Sequence, residues 1–183
     1  MNNPLVSIVI PIVRKDKHID ECKEAIARST YKNVEIIVVD EGKERSYQRN
    51  FGIKKATGKY LLILDSDMMV TPGVIGNCVW MMESNSSCVG IYIPERIVTA
   101  GWFGRLRDWE RQFYNGTLVD VERFVRREGC PLFDEGLHGV EDSDWARQIH
   151  GLKLTCMFPV HHHDKCGVGS YLKKKAYYAQ GLG

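Results

Sequence analysis

Apolar and polar positions along this chain fall into blocks that predict strands and helices in turn. Leu5 to Val13 is almost wholly apolar and β-branched, the pattern of a strand buried on both faces. Pro11 marks its carboxyl end, because an interior proline would break the ladder. Asp16 to Ser29 follows, with Ile19, Cys22, Ala25 and Ile26 at helical spacing. Val34 to Val39 reads as a second buried strand, and Glu44 to Ala56 as a second helix closed by Gly58 as a C-cap signal. Tyr60 to Leu64 is a third strand, too brief for a helix. Thr71 as cap and Pro72 in the first turn then open a helix over Pro72 to Glu83, and Ser87 to Ile93 is a fourth strand. Strand and helix alternate three times, which implies an α/β fold around a parallel sheet with right-handed crossovers.

From Pro94 onward the periodicity loosens. Phe103 to Tyr114 predicts a helix, Val119 to Arg126 a strand, and Glu128 to Pro131 a turn. Asp142 to His150 predicts a helix with an acidic first turn, Leu154 to Val160 a last strand, and Ser170 to Gln180 a last helix. No repeat, low-complexity segment or linker interrupts the 183 residues. One domain is therefore expected, split near Pro94 into a nucleotide-type half (about 1–93) and a more irregular half (about 94–183). Trp102, Phe103, Trp109, Phe113 and Tyr114 are interleaved with Arg105, Arg107 and Arg111. They fit a sugar-stacking or lipid-facing surface, or the core face of one helix with its arginines outside; the core face is the expectation for at least half of them.

Composition narrows the partners. Twenty-five basic against 23 acidic residues give a formal charge of +2, too balanced to argue for a nucleic-acid binder. Met1 to Pro4 lacks a basic n-region and Pro11 interrupts the apolar run behind it, a poor signal peptide. No apolar run approaches bilayer length. A cytoplasmic protein is the expectation. The basic, aromatic stretch Tyr171 to Tyr178 fits a solvated helix, with peripheral contact at the inner face of the membrane as the alternative. Six cysteines show no CxxC pairing, so free, mostly buried thiols are expected.

The chemistry gathers at strand ends. Asp65 and Asp67 follow the third strand and Asp40 the second, so all three carboxylates come to the edge where open α/β sheets bind ligands. Two such carboxylates repel unless a divalent cation or a donor-rich ligand compensates them; a solvated turn explains the local pattern equally well. Neither a P-loop nor GxGxxG is present, so any phosphate must be held by a metal and by basic side chains. Arg45 and Arg49 share a helix face near Asp40, although a solvated face also accounts for them. Glu141, Asp142 and Asp144 open a helix, where the macrodipole alone favours acids. His161, His162, His163 and Asp164 follow an apolar strand and suit Mn²⁺ or Zn²⁺ as well as a purely structural role.

Taken in order, the motifs carry a resemblance. Ser7 to Pro11, Val38 to Gly42, the pattern Arg49-Asn50-x-Gly52-x-x-x-Ala56-x-Gly58-x-Tyr60, and Leu64 to Asp67 resemble the family 2 glycosyltransferases. Arg123 to Arg127, Leu132 to Glu135, and Glu141-Asp142-x-Asp144-x-x-x-Arg147 resemble that family's acceptor-side motifs in the same order. The resemblance spans roughly residues 5 to 165. It implies a single GT-A type domain: a mostly parallel, twisted sheet flanked by helices, Rossmann-like in its first half and irregular on its acceptor side. It implies an inverting hexosyltransferase that moves a sugar from a UDP- or GDP-linked donor to a hydroxyl of a glycan or lipid-linked acceptor, using Mn²⁺ or Mg²⁺. A polyprenyl-phosphate glycosyltransferase and a non-catalytic nucleotide-sugar-binding module are the alternatives. By the same resemblance Pro11, Asp40, Arg49 and Asp65 contact the nucleotide, Asp67 is the last aspartate of the DxD motif and a metal ligand, and Asp142 is the catalytic base. A histidine completes the metal site; spacing favours His162, with His161 and His163 close behind. Asp40-Glu41 stands where the family often has two aspartates, and Glu128 to Pro131 is shortened.

Overall fold

A computed structural model describes residues 3–12, 16–117, 120–164 and 167–180. Its framework is a six-stranded sheet in the order β2-β1-β3-β7-β5-β8. β1 (Val6–Pro11) lies between β2 (Val34–Val39) and β3 (Tyr60–Ile63), parallel to both. β7 (Glu122–Arg126) runs antiparallel to β3 and to β5 (Cys88–Tyr92), and β5 is parallel to the edge strand β8 (Leu152–Thr155). The sheet is thus mostly parallel, with β7 as the reversed strand.

Both faces of the sheet's centre are covered, which is why β1 and β3 read as almost wholly apolar runs. Val6, Ile8 and Ile10 face α1 (Ile19–Ala27) and α3 (Val74–Ser84), through Cys22, Ile26, Ile75 and Cys78 among others. Val9, Leu61 and Ile63 look the other way, toward Ile53 of α2 (Arg45–Lys55) and Trp145 of α5 (Glu141–Gln148). Successive residues of a strand point to opposite faces, so one run serves two cores. Cys22, Cys78, Cys88, Cys130 and Cys156 are free thiols, all but Cys130 buried; Cys166 lies outside the described residues.

A second, smaller sheet was not expected. β4 (Met68–Val70), β9 (Val160–His162) and β6 (Glu95–Ile97) form it in the order β4-β9-β6. The stretch Leu154 to Val160, read as one strand, is therefore two elements. β8 ends at Thr155, and the chain crosses to the small sheet through Met157, Phe158 and Pro159. Asn77 of α3 anchors that crossing: its Oδ1 accepts from the Met157 N–H (3.0 Å) and from Cys156 Sγ (3.2 Å).

Three local expectations change as well. Thr71 does not cap α3, whose N-cap is Gly73; the Thr71 hydroxyl donates instead to the Pro159 carbonyl at 2.9 Å, tying β4 to the loop before β9. Gly58 does not cap α2, whose C-cap is Ala56; a Cβ at Gly58 would lie 2.7 Å from the Leu5 carbonyl oxygen, so close approach to the start of β1 is what excludes a side chain there. α4 (Gly101–Gln112) exists but is turned the other way round from expectation. Trp102, Trp109 and Phe113 are 65%, 61% and 63% exposed, while Arg107 and Arg111 point inward onto acidic partners. Glu95, Asp120 and Asp164 offer those guanidinium groups ion pairs.

α6 (Val168–Gln180) lies against α4, with the Tyr171 ring 5.7 Å from that of Phe103. Among the described residues, no helix is long and apolar enough to cross a membrane.

Candidate active site

The carboxyl ends of β1 and β3 open into a cavity of about 510 Å³, and a second of about 430 Å³ lies beside it. The first is lined by Pro11, Asp65, Ser66, Asp67, Glu141 and His162 among others; Glu95, Arg111, Arg123, Asp142 and His162 belong to the second. His162 faces both. The connection from β1 through α1 leads to one neighbour, and that from β2 through α2 returns past β1 to the other, so the first cavity sits at the reversal of strand order.

Arg49 joins the two cavities from beneath. Its side chain is 1% exposed on α2, with Nη2 donating to Asp65 Oδ1 at 3.2 Å and Nη1 to Asp142 Oδ1. The Phe133 ring lies 5.0 Å from the guanidinium carbon and stacks on Trp145 at 4.7 Å. Asn50, next along α2, exchanges hydrogen bonds with the Phe133 backbone (2.8 and 2.9 Å), which fixes that ring in place. Arg49 therefore positions two acids that come from distant parts of the chain.

The acids are held in a chain of alternating charge. Arg123 on β7 lies 3.5 Å from Asp65 Oδ2 and donates to Glu95 Oε1 at 2.9 Å. Glu95 Oε2 accepts from Arg111 at 3.0 Å and lies 3.4 Å from His162 Nδ1; His162 Nε2 in turn lies 3.4 Å from Asp67 Oδ2. Burial opposes ionisation of Asp65, but Arg49, Arg123 and Arg45 outweigh it and hold the carboxyl far below its usual range. Glu95 is likewise buried and held well below its ordinary value, mainly by Arg123, the His162 hydrogen bond and Arg111. For His162 burial works against the charged ring, yet contacts with Asp67 and Glu95 push its pKa up to about 9.

Asp67 and His162 fit a divalent ion. Carboxylate oxygen and imidazole nitrogen face each other at 3.4 Å, both exposed enough for a ligand to reach, and the environment that favours a proton on His162 also favours a metal cation. Ser66, between the two aspartates, donates to Asp16 and so fixes the turn.

The other expected residues are distributed unevenly. Pro11 ends β1 at the rim of the first cavity. Asp40 is exposed beyond β2 and is not among the residues lining either cavity. Asp142 is 37% exposed and faces the second. His161 is exposed on β9, and His163 turns toward α1. Glu95 and Arg111 carry the network; Glu95 was not singled out by the sequence, and Arg111 was expected on the outer face of its helix. Glu95 follows Pro94 in a three-residue strand, too short for an alternation to register.

Residues 41–131 match the family model Glycosyl transferase family 2. Glycosyltransferase GlyG of Streptococcus pneumoniae serotype 4 is 32% identical over 114 residues, which is 48% of this chain and 38% of that protein. The uncharacterized glycosyltransferase EpsJ of Bacillus subtilis is 29% identical over 108 residues, 45% of this chain and 31% of that protein. The chain thus spans well under half the length of these relatives. Among solved structures, mannosyltransferase PcManGT from Pyrobaculum calidifontis, in complex with GDP-Man and Mn²⁺, superposes with a TM-score of 0.76 at 17% identity, over 98% of this chain and 62% of that one. Residues 1–349 of S. aureus TarS, in complex with UDP-GlcNAc, give 0.67 at 15% identity, over 91% and 60%. The fold is shared with both.

Proposed function

We propose, from the premise that this chain belongs to glycosyltransferase family 2 and has the GT-A fold, that it moves a sugar from a UDP- or GDP-linked donor to a hydroxyl acceptor with inversion. The observation that carries this reading is the pair of adjoining cavities, with Asp65 and Asp67 in the first, Asp142 facing the second, and His162 in both. Residues of about 1–93 supply most of the donor side and residues of about 94–183 most of the acceptor side.

Asp67 and His162 would hold Mn²⁺ or Mg²⁺, which when bound supplies positive charge against the donor diphosphate. Asp65, kept ionised by its arginines, accepts hydrogen bonds from the nucleoside portion at the floor of the first cavity. Asp142 takes the proton of the attacking hydroxyl. Its Oδ1 is held by Arg49, so Oδ2 is the oxygen presented to the acceptor. One proton transfer places the acceptor oxygen on the anomeric carbon while the bond to the diphosphate breaks on the opposite side.

The acceptor we favour is lipid-linked. α4 lines the second cavity with Arg107 and Arg111 and turns Trp102, Leu106, Trp109 and Phe113 outward. Spacings of four, three and four put these side chains on one helical stripe, and tryptophan suits the bilayer interface. The exposed Lys173 and Lys175 of α6 add positive charge nearby; Tyr171 is turned onto α4 and is not part of that surface.

Release of UDP or GDP is to be measured over a panel of nucleotide sugars, with and without Mn²⁺ and with hydroxyl or phosphate acceptors. Asp142→Asn should keep donor affinity and lose about 10²-fold or more in turnover on a hydroxyl acceptor. Full turnover in that variant on a hydroxyl removes the base. Wild-type turnover on a polyprenyl phosphate but not on a hydroxyl, kept in Asp142→Asn because that oxyanion needs no base, identifies the phosphate as acceptor. Donor binding without turnover on any acceptor identifies a binding module.

A further inference from the structure

The histidine run serves two places. His162 reaches Asp67, whereas His163, one residue on, points to the opposite side of the chain and meets the first turn of α1. There His163 Nδ1 lies 3.8 Å from Glu21 Oε2, and His18 Nδ1 lies 3.5 Å from the same oxygen. The two imidazole rings stand edge to face with centroids 6.0 Å apart. One ligand atom from each of the three residues fits within a span of 4.8 Å.

We propose that His18, Glu21 and His163 form a binding site for a zinc-class divalent metal ion, separate from the Asp67–His162 pair. The chemistry of the donor set selects the ion. Two imidazoles and one carboxylate suit Zn²⁺ and its borderline neighbours, whereas Mg²⁺ and Ca²⁺ take mostly oxygen ligands. The spacing is already close to what coordination needs. Zinc–nitrogen and zinc–oxygen bonds of about 2.0–2.2 Å at tetrahedral angles put ligand atoms about 3.4 Å apart. The two nitrogen–oxygen separations here, 3.5 and 3.8 Å, close to that value by small side-chain rotations. Three protein ligands leave a fourth position for water.

The arrangement of the backbone around the site gives it a consequence. The His18 N–H donates to Asp16 Oδ1 at 2.8 Å, and Asp16 in turn accepts from Ser66 between the two DxD aspartates. The His163 N–H donates to the Asp67 carbonyl at 2.9 Å. An ion held by His18 and His163 therefore ties α1 to the end of β9 and braces the turn that carries Asp65 and Asp67. It is a structural clasp beside the donor cavity and takes no part in bond making.

The test is equilibrium dialysis of the intact chain against Zn²⁺ with elemental analysis, on a background carrying Asp67→Ala and His162→Ala so that the other pair is silent. The background should retain about one zinc per chain, and excess Mg²⁺ should not displace it. Adding Glu21→Gln or His163→Ala should weaken zinc binding by about tenfold or more. Glu21 is mostly exposed, so its amide variant keeps the fold, which a melting curve without metal verifies. Loss of all zinc from the background, or unchanged affinity in both added variants, overturns the site. The three side chains are then a pair of histidine–glutamate contacts without metal.

Discussion

The two sides of the site are held by different forces. Around the first cavity, β1 and β3 are buried on both faces and position Pro11 and Asp65 through apolar packing against α1, α2 and α3. Around the second cavity, β6, β7 and α4 meet through Glu95, Arg111, Arg123 and Asp120, and the large apolar side chains of α4 point to solvent. Packing is tolerant of chemistry and strict about volume; ion pairs are strict about both charge and geometry. Arg49 is where the two regimes meet, since it is packed like a core residue and bonded like a site residue.

Removing that residue should have the largest effect. Arg49→Ala leaves Asp65 and Asp142 without their shared cation, and breaking such a buried pair typically costs about 3–5 kcal/mol. Denaturant unfolding checks this; a loss under about 1 kcal/mol would mean that water enters and replaces the guanidinium. Leu62→Ala tests the packed side, where a fully buried leucine on β3 should cost about 2–5 kcal/mol by the same measurement. Trp109→Ala is its counterpart on α4 and should change stability by about 0.5 kcal/mol or less while weakening association with anionic vesicles. Equal costs for Leu62 and Trp109 would erase the distinction between the two sides.

The smallest effect should come from Glu35 on β2. Burial opposes its charge, but hydrogen bonds from Ser7 (2.5 Å), Thr57 and Gly58 lower its pKa below the usual glutamate value. A carboxylate with a depressed folded-state pKa stabilises above the unfolded value of about 4.3 and loses that contribution as pH falls through the folded one. Glu35→Gln should therefore flatten the acid limb of the stability–pH curve; an unchanged limb would assign acid sensitivity to the Asp65 network instead.

How much of this was legible follows the same division. β2 is readable in its bounds, Val34–Val39, but not in its burial: it is an edge strand, half-buried or exposed at every position but Val39, where a buried strand was expected, because an apolar pattern alone does not say which strand lies at the edge. Asp65, Asp67 and His162 drew attention because Asp65 follows an apolar run directly and the other two lie two or three residues beyond the end of one. Glu95 did not, since a lone acid after Pro94 carries no periodic signal, and its partners lie 16, 28 and 67 residues away. The orientation of α4 was misread for a related reason. Aromatic spacing marks an amphipathic helix, but which stripe faces inward depends on the acids waiting across the gap, and those come from β6, Asp120 and Asp164.

Placing one histidine in the walls of both cavities has a further result. A ligand that changes the state of His162 from one side changes the surroundings met by a ligand on the other. By thermodynamic linkage the coupling is reciprocal: any factor by which bound donor tightens the acceptor, the acceptor returns to the donor. A ternary-complex titration with a non-reacting donor analogue would read that factor, which must come out the same whichever of the two ligands is added first.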